Sequence, residues 1–306
     1  MNSRNIVIYL SVIGIILILT VGVYITAFLA QSNSVTESFD GQRALLDVKT
    51  QVAFGPRTVG SMGHTQTVTW IQRELKSSGW KVRIQEAKMM GHPIKNIIAS
   101  RTEEFPIIIL GAHYDTRTIA DNDPYPTNQI QPVPGANDGA SGVAALLELA
   151  RTLPEEGPPV WLVFFDAEDN GRIQGWDWSL GSQAFVDTLE FSPEAVVIVD
   201  MIGDSNLNIF IEQNSNPELA NEIWNIAAEL EFEQFIPETK YSLLDDHTPF
   251  LEAGIPAVVI IDFDYPYWHT TEDTVDKVSS ESLYTVGKTL WTWITRYEEQ
   301  STSGRK

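Results

Sequence analysis

The stretch PVWLVFFDAED, residues 159–169, decides the fold of this chain. Its apolar residues follow one another without a polar break, and the acidic residues Asp166, Glu168 and Asp169 come directly after them. Strands that are buried on both faces have such continuous apolar runs, so the stretch predicts a strand in a parallel sheet with helices above and below it. Ligands of open α/β sheets bind beyond the carboxyl ends of the strands, which is where these acidic residues lie.

Two more runs, IIIL at 107–110 and VVIV at 196–199, have the same character. Further strands are predicted at 81–86, 96–100, 207–212 and 257–261. Helical spacing of apolar residues predicts helices at 38–52, 65–78, 141–153, 181–189, 217–230 and 280–299. This alternation predicts an α/β fold, a three-layer domain with a mostly parallel, mixed central sheet and helices on both faces.

The composition excludes several classes of function. A net charge of −21 argues against nucleic acid and against anionic membrane surfaces as partners. The chain has 0 cysteines, which excludes a disulfide framework, a lipoprotein attachment site and a thiol nucleophile. With 306 residues we expect one large folded domain.

The N-terminal region predicts a membrane anchor. Residues 6–30 carry no charge and are long enough to cross a bilayer as a helix. Phe28 stands close to the position where a signal peptide needs small residues, so an uncleaved transmembrane signal anchor is favoured over a cleaved signal. We expect a cytoplasmic N-terminus at 1–5, a stalk at 31–37, a catalytic domain at 38–300 and a polar tail at 301–306. The protein would then be a single-pass protein of the cell membrane with an extracytoplasmic catalytic domain.

Acidic residues and histidines follow the predicted strands. Asp138 lies at a loop-to-helix junction, and the others lie beyond strand ends; the candidate zinc ligands are His113, Asp138, Asp169, Asp200 and His269. Imidazole and carboxylate groups are the zinc ligands available without cysteine, so this set could hold one or two zinc ions. Glu168 is then free to act as a base, and Asp115 is placed to orient the imidazole of His113. Taken by itself, Asp138 is more simply a helix N-cap.

Two other sites can be set aside. Residues 204–208 begin like a calcium-binding EF-hand loop, but Ile209 stands where glycine is needed and Ser215 where a bidentate glutamate is needed. The Gly-x-Ser-x-Gly surroundings of a nucleophilic serine do not occur around Ser61 or Ser141. A metal site is therefore the leading hypothesis.

Four motifs, in this order, carry a family resemblance: GAHYD at 111–115, GAND at 135–138, FDAED at 165–169 and VDMIG at 199–203. Over residues 40–300 the chain resembles the superfamily of zinc-dependent aminopeptidases and glutaminyl cyclases. The segments DDHTPFL at 245–251 and WHT at 268–270 resemble the glutaminyl cyclases, since aminopeptidases usually have Ser or Thr where Asp245 stands. Residues 135–142 are more similar to the aminopeptidases.

The resemblance implies roles for individual residues. Asp138, Asp169 and His269 would bind zinc, with Asp169 standing where both branches usually have the longer glutamate. Glu168 would be the general acid and base, and Asp200 and Asp245 would form a supporting catalytic network of carboxylates. In the aminopeptidases, residues that match His113 and Asp200 hold a second zinc.

The resemblance also suggests walls for a substrate pocket. Trp268 and Tyr267 would line it, and either Trp176 or Trp178 would replace the pocket tryptophan of the cyclases.

The expected function is that of a zinc-dependent glutaminyl-peptide cyclotransferase with one zinc ion, which converts the N-terminal glutamine of peptides to pyroglutamate and releases ammonia. The alternative is a zinc metalloaminopeptidase with two zinc ions, and a second alternative is a non-catalytic extracytoplasmic binding module. The expected partners are peptide N-termini, and the membrane through the N-terminal helix, but not nucleic acid.

Overall fold

The structure is a computed structural model that describes residues 38–303. Within this range the chain from Phe39 onward forms one compact unit. The strands are β1 (Lys81–Met89), β2 (His92–Ser100), β3 (Ile108–His113), β4 (Val160–Phe165), β5 (Ala195–Asp200), β6 (Ile209–Ile211), β7 (Phe235–Thr239) and β8 (Ala257–Ile261). The α-helices are α1 (Gly41–Ala53), α2 (Met62–Ser77), α3 (Ala140–Thr152), α4 (Leu180–Val186), α5 (Pro217–Glu229), α6 (Thr248–Glu252) and α7 (Ser280–Ser303), and Val275–Lys277 forms a short 3₁₀ helix.

Six strands form the central sheet, in the order β1-β2-β4-β3-β5-β8. The four strands β4, β3, β5 and β8 run parallel to one another, whereas β1 and β2 pair antiparallel and β2 pairs antiparallel with β4. The sheet is therefore mixed, and its parallel half brings the carboxyl ends of four strands to one edge.

The strands are buried on both faces, as the continuous apolar runs predict. In β4, Leu162 and Phe164 pack into the core on one side of the sheet, and Val163 and Phe165 pack into the core on the other. Helices α1, α2, α3, α5 and α7 cover the first side, and α4 and α6 contribute to the second. The three-layer α/β architecture is thereby confirmed.

One predicted strand lies outside the central sheet. The strand expected at 207–212 is shortened to β6, which pairs in parallel with β7 to form a separate two-stranded sheet. Strand β7 was not predicted. Only Phe235 of its five residues is buried, so the segment has neither an apolar run nor an alternating pattern. Helix α6 was also not predicted, since five residues are too few for a helical period to be visible.

Polar caps fix where three of the helices begin. The Asp40 carboxylate accepts hydrogen bonds from the backbone amides of Gln42 and Arg43 at the start of α1. Ser61 caps α2 in the same way, and Asn216 caps α5, whose first residue is a proline. These side chains satisfy amide groups that have no partner inside the helix.

No helix within residues 38–303 is both long enough and apolar enough to cross a membrane. The predicted transmembrane segment, residues 6–30, lies outside the described residues and stays a prediction.

Candidate metal centre

Two strand ends and three loops bring the predicted ligands to one edge of the sheet. His113 ends β3, Asp200 ends β5, Asp169 follows β4, and His269 lies in the loop after β8. Asp138 reaches the same place from the loop that precedes α3. All five side chains are buried, with at most 7% of each residue exposed.

His113, Asp138 and Asp200 form the first of two triads. The Nε2 atom of His113 lies 3.2 Å from Oδ1 of Asp138 and 3.0 Å from Oδ1 of Asp200. The donor atoms of the three side chains all lie within 4.8 Å of one another. This is the spacing of groups that can share one metal ion.

Asp138, Asp169 and His269 form the second triad. The Nε2 atom of His269 lies 2.8 Å from Oδ1 of Asp169 and 3.8 Å from Oδ2 of Asp138. Asp138 therefore belongs to both triads, with Oδ1 directed to His113 and Oδ2 to His269. Although Asp169 is one methylene shorter than glutamate, its carboxylate reaches the other two donors of this triad.

The donor set fits a divalent cation. Oδ2 of Asp138 and Oδ2 of Asp169 are buried and accept no hydrogen bond from any described residue. Buried charges normally require a partner, and three carboxylates crowded beside two imidazoles are matched by a positive ion. Nitrogen and oxygen donors of this type suit zinc.

The N-cap interpretation of Asp138 does not hold. The residue at the cap position of α3 is Gly139, with φ at +92°, and it has no side chain with which to cap. A Cβ at Gly139 would lie 2.7 Å from the carbonyl oxygen of Asp115 and 3.2 Å from Cε1 of His113. The left-handed glycine turns the chain into α3, so the Asp138 carboxylate faces the imidazoles.

Asp115 contacts His113 as expected, and it also supports the loop of Glu168. Its Oδ1 lies 3.5 Å from Nδ1 of His113. The same carboxylate accepts hydrogen bonds from the backbone amides of Glu168 at 3.0 Å and Asp169 at 3.3 Å. One side chain thus lies beside an imidazole of the first triad and holds the backbone of a ligand in the second.

The sequence did not reveal Asp121, which contacts the other imidazole. Its Oδ1 lies 3.5 Å from Nδ1 of His269. Arg117 holds the Asp121 carboxylate with two hydrogen bonds of 2.7 and 2.6 Å, and donates a third to the carbonyl oxygen of Asp169 at 3.1 Å. Each histidine therefore has an aspartate beside the nitrogen that faces away from the ligand carboxylates.

Two further residues that were not predicted fix the loop of Asp138. The buried carboxylate of Asp273 accepts hydrogen bonds from the amides of Asn137 at 2.8 Å and Asp138 at 3.1 Å, and from the hydroxyl of Tyr265 at 2.7 Å. Arg57, which is fully buried, donates to the carbonyl oxygens of Pro134 and Gly135 in the same loop, and also to that of Tyr114 after β3. Asp273 lies inside the segment that carries His269, and its place beside this histidine was the only available signal.

The backbone is strained at three positions of this edge. Ala167, Met201 and His269 have φ values of +55°, +46° and +57°. Such conformations cost about 1–3 kcal/mol each for residues other than glycine, and surrounding structure must maintain them. They turn the chain sharply at Glu168, after Asp200 and at His269 itself.

A cavity of about 500 Å³ opens onto the two triads. Its floor includes five carboxyl groups, those of Asp138, Glu168, Asp169, Asp200 and Asp245. Its walls include the apolar side chains of Trp178, Trp268, Phe263, Ile261 and Leu243. A mostly preformed cavity with apolar walls and a few polar groups is typical of a small-ligand site.

Only some of the predicted wall residues line the cavity. Trp268 and Trp178 line the cavity, and the ring of Trp178 stacks on that of His269 with 6.0 Å between centroids. Trp176 lies outside the cavity, where its ring stacks on that of His92 with 3.5 Å between centroids. Of the two candidate pocket tryptophans, Trp178 is therefore the one that lines the cavity. Tyr267 is not among the lining residues either; its ring packs against Tyr265 and beneath Lys277.

Two carboxyl groups on the cavity floor hold protons more tightly than usual. Burial raises the pKa of Glu168 well above its ordinary range, and the charges of Asp245 and Asp246 act in the same direction. Burial and the charge of Asp200 raise the pKa of Asp245 to about 7. The hydroxyl of Ser179 lies 3.3 Å from Oε1 of Glu168 and can donate to it.

A comparison with protein families identifies the chain. The model for peptidase family M28 matches residues 96–294, which include all five ligand candidates. The chain belongs to this family. The chain is similar in sequence to proteins named as glutaminyl-peptide cyclotransferases and as aminopeptidases. Solved structures of a glutaminyl cyclase and of an exopeptidase also resemble this M28 protein.

Three of these similar proteins illustrate the range of activities in their names. A glutaminyl-peptide cyclotransferase-like protein from Bos taurus is 23% identical over 79% of this chain and 72% of its own length. The crystal structure of Porphyromonas gingivalis glutaminyl cyclase is 32% identical, with a TM-score of 0.80 over 86% of this chain and 99% of that one. The structure of a Zn-dependent exopeptidase from Parabacteroides distasonis is 31% identical, with a TM-score of 0.79 over 85% and 99% of the two chains. The chain is thus an M28 family protein, and an enzyme of either kind is consistent with its fold.

Proposed function

We propose that this M28 protein is a zinc-dependent glutaminyl-peptide cyclotransferase. The observation that carries the proposal is the position of Glu168 and Asp245, two carboxyl groups with raised pKa, on the floor of an apolar-walled cavity beside the metal-ligand candidates. The similarity to P. gingivalis glutaminyl cyclase along nearly the full length of that enzyme supports the same function.

The residues that would hold zinc are Asp138, Asp169 and His269, with His113 and Asp200 available for a second ion. When bound, zinc supplies a Lewis acid that polarises a substrate carbonyl. Asp115 and Asp121 orient the two imidazoles through their Nδ1 atoms.

Glu168 is the proposed general acid and base. Cyclisation requires that the peptide's α-amine lose a proton and that the departing amide nitrogen gain one, so that ammonia leaves. Because burial raises the pKa of Glu168, its carboxyl group holds a proton more readily than an ordinary glutamate and can pass it to the departing nitrogen. The Ser179 hydroxyl, which approaches Oε1, fixes the orientation of the carboxyl group.

The apolar walls favour cyclisation over hydrolysis. Trp178 and Trp268 bound the cavity, together with Phe263. A glutamine side chain that fills this space displaces water and is held in the folded conformation that ring closure needs. The proposed substrates are peptide N-termini outside the cell membrane, to which residues 6–30 are predicted to anchor the domain.

One observation favours the alternative, a metalloaminopeptidase. Asp138 is shared between the two triads, which is the arrangement expected for a pair of metal ions that hold and activate a water molecule. Metal analysis of the purified protein distinguishes the two proposals in part, since we expect one zinc per chain for the cyclase and two for the peptidase.

The deciding experiment is mass analysis of a Gln-initiated peptide after incubation with the zinc-loaded protein. Loss of ammonia supports the cyclase, and release of the whole first residue shows a peptidase and overturns our proposal. A matched peptide that begins with alanine serves as the control, because it can be hydrolysed but cannot cyclise. If neither peptide changes, a binding module without catalytic activity is the remaining class.

A further inference from the structure

The mouth of the cavity carries a single positive charge, that of Arg172. The residue is exposed, whereas the carboxyl groups of the floor are buried. Among the described residues that line the cavity, Arg172 is the only one with a basic side chain. Within residues 38–303 its guanidinium makes no hydrogen bond or ion pair, so it is free to bind a ligand.

The segment around Arg172 is held in place. Thr118 donates its hydroxyl to the Asn170 side chain at 2.6 Å, and Arg117 donates to the carbonyl oxygen of Gly171 at 3.1 Å. A Cβ at Gly171 would lie 2.0 Å from the ring of Trp178, so this backbone packs directly on a cavity wall. These contacts fix the backbone from which the Arg172 side chain leaves.

The backbone of Arg172 is itself strained, with φ at +65°. The exposed turn residues Met90 and Glu231 have similar φ values of +50° and +60°, so the conformation marks a turn at Arg172. Binding is favoured instead by two other features of Arg172, which are its position on the cavity lining and its unpartnered guanidinium.

The charge distribution indicates what it binds. The floor is lined by carboxyl groups that attract the positively charged α-amine of a peptide and repel an anion. If the N-terminal residue reaches Glu168, the chain of the peptide must continue toward the mouth, where Arg172 lies. An anionic group one residue along would then meet a guanidinium, which pairs well with carboxylates.

We propose that Arg172 selects peptides that carry a carboxylate on the residue after the N-terminal glutamine. This inference rests on the proposed cyclase function. The carboxylate has two possible sources, the side chain of an acidic second residue or the C-terminus of a dipeptide.

The test compares four substrates: Gln-Glu-amide, Gln-Gln-amide, Gln-Ala with a free carboxylate, and Gln-Ala-amide. We expect the carboxylate peptides to have a KM about fivefold lower than their neutral partners, with similar kcat, since an exposed ion pair contributes modestly and equally to ground and transition states. A preference within the first pair identifies the side chain as the source, and one within the second pair identifies the C-terminus.

In the variant Arg172→Gln, the carboxylate peptides and their neutral partners should have equal KM values. Arg172→Lys should retain part of the preference, and added salt should weaken it in the unmodified protein. Arg73→Gln, which removes an exposed arginine from α2, is the matched control for net charge. A preference that persists in Arg172→Gln, or no preference in the unmodified protein, overturns the inference.

Failure of the cyclase proposal can be distinguished from failure of this inference. If no peptide releases ammonia, the cyclase proposal fails, and the same four peptides are compared by calorimetric binding. Tighter binding of the carboxylate peptides that disappears in Arg172→Gln still supports the role of Arg172. Equal dissociation constants overturn it.

Discussion

The carboxylate of Asp121 lies 3.5 Å from Nδ1 of His269, on the side of the imidazole that faces away from the ligand carboxylates. An aspartate beside Nδ1 favours the tautomer that carries its proton on Nδ1, which leaves the lone pair of Nε2 free to bind metal. Asp115 stands in the same relation to His113. The two histidines of the site are thus oriented by the same device, although only one of the aspartates follows a strand.

Replacement of Asp121 should weaken metal binding. We expect Asp121→Ala to lower the affinity for zinc by about 10–100-fold, because the His269 ring loses the partner that fixes its orientation. Asp121→Asn is the matched control, since its amide oxygen can still accept a hydrogen bond from the Nδ1–H group. Competition with a chelator of known affinity measures both variants, and equal affinities for Asp121→Ala and the unmodified protein would contradict the role.

The ends of the buried strands made part of the site visible in the sequence. His113, Asp169 and Asp200 follow apolar runs, and a parallel sheet must bring the residues beyond such runs to one edge. The same logic predicted the strands themselves, because burial on both faces requires an apolar residue at every position. Strand β7 could not be predicted in this way because only one of its five residues is buried.

The supporting residues could not be predicted in this way. Asp121 lies in the connection between β3 and α3, where no period or strand end marks it, and its position depends on hydrogen bonds from Arg117. Trp176 and Trp178 are both close to Glu168 in sequence, and only their packing separates them, one against His92 and the other against His269. The positions of these side chains are therefore determined by tertiary contacts, most of them between residues far apart in sequence.

Gly139 should tolerate no side chain. We expect Gly139→Ala to destabilise the fold and to weaken metal binding, because its φ is +92° and the new Cβ would lie 2.7 Å from the Asp115 carbonyl oxygen. Gly254→Ala is the control, since Gly254 has a comparable φ of +75° but no atom within 4 Å of a Cβ. A side chain in the left-handed helical region costs about 1–2 kcal/mol. Gly139, with ψ at −50°, lies outside that region, so its backbone conformation is less favourable still for alanine.

The difference between these two variants measures the close packing at Gly139 together with its less favourable backbone conformation. Overpacking of a well-filled site adds about 1–3 kcal/mol. Urea denaturation of each variant gives the free energy of unfolding. Equal losses in the two variants would show that the contacts with Asp115 and His113 do not restrict this position.

Removal of metal should destabilise the domain. The buried carboxylates of Asp138, Asp169 and Asp200 repel one another, and a bound cation offsets that repulsion. Zinc at 100 times its dissociation constant stabilises the folded state by about 2.7 kcal/mol, so chelation should lower Tm by several degrees. In His269→Ala the response to zinc should shrink, and an unchanged Tm on chelation of the unmodified protein would argue against a metal in this site.

Glu168 should be needed for turnover but not for metal. Glu168→Gln keeps the size of the side chain and its contact with Ser179 but cannot exchange a proton, so we expect kcat to fall by about 10²–10⁴-fold. Elemental analysis should find the same zinc content as in the unmodified protein, because Glu168 belongs to neither triad. Undiminished activity would remove Glu168 from the mechanism, and loss of zinc would make it a ligand.

Trp178 should affect substrate binding more than Trp176 does. The indole of Trp178 lines the cavity and stacks on His269, whereas that of Trp176 stacks on His92 outside it. We expect Trp178→Ala to raise KM by about tenfold or more, since loss of an aromatic wall removes at least 1.4 kcal/mol of binding free energy. Trp176→Ala should leave KM close to that of the unmodified protein.

Trp178 also contacts the metal-ligand candidate His269, so the zinc content of the Trp178→Ala variant must be measured alongside its KM. A zinc content equal to that of the unmodified protein assigns the rise in KM to the lost wall, and Trp178→Phe should then recover part of the affinity because a smaller ring still covers the cavity. If Trp176→Ala raises KM as much as Trp178→Ala does, the substrate extends beyond the cavity to the surface near His92. The two tryptophans therefore report where the bound peptide lies.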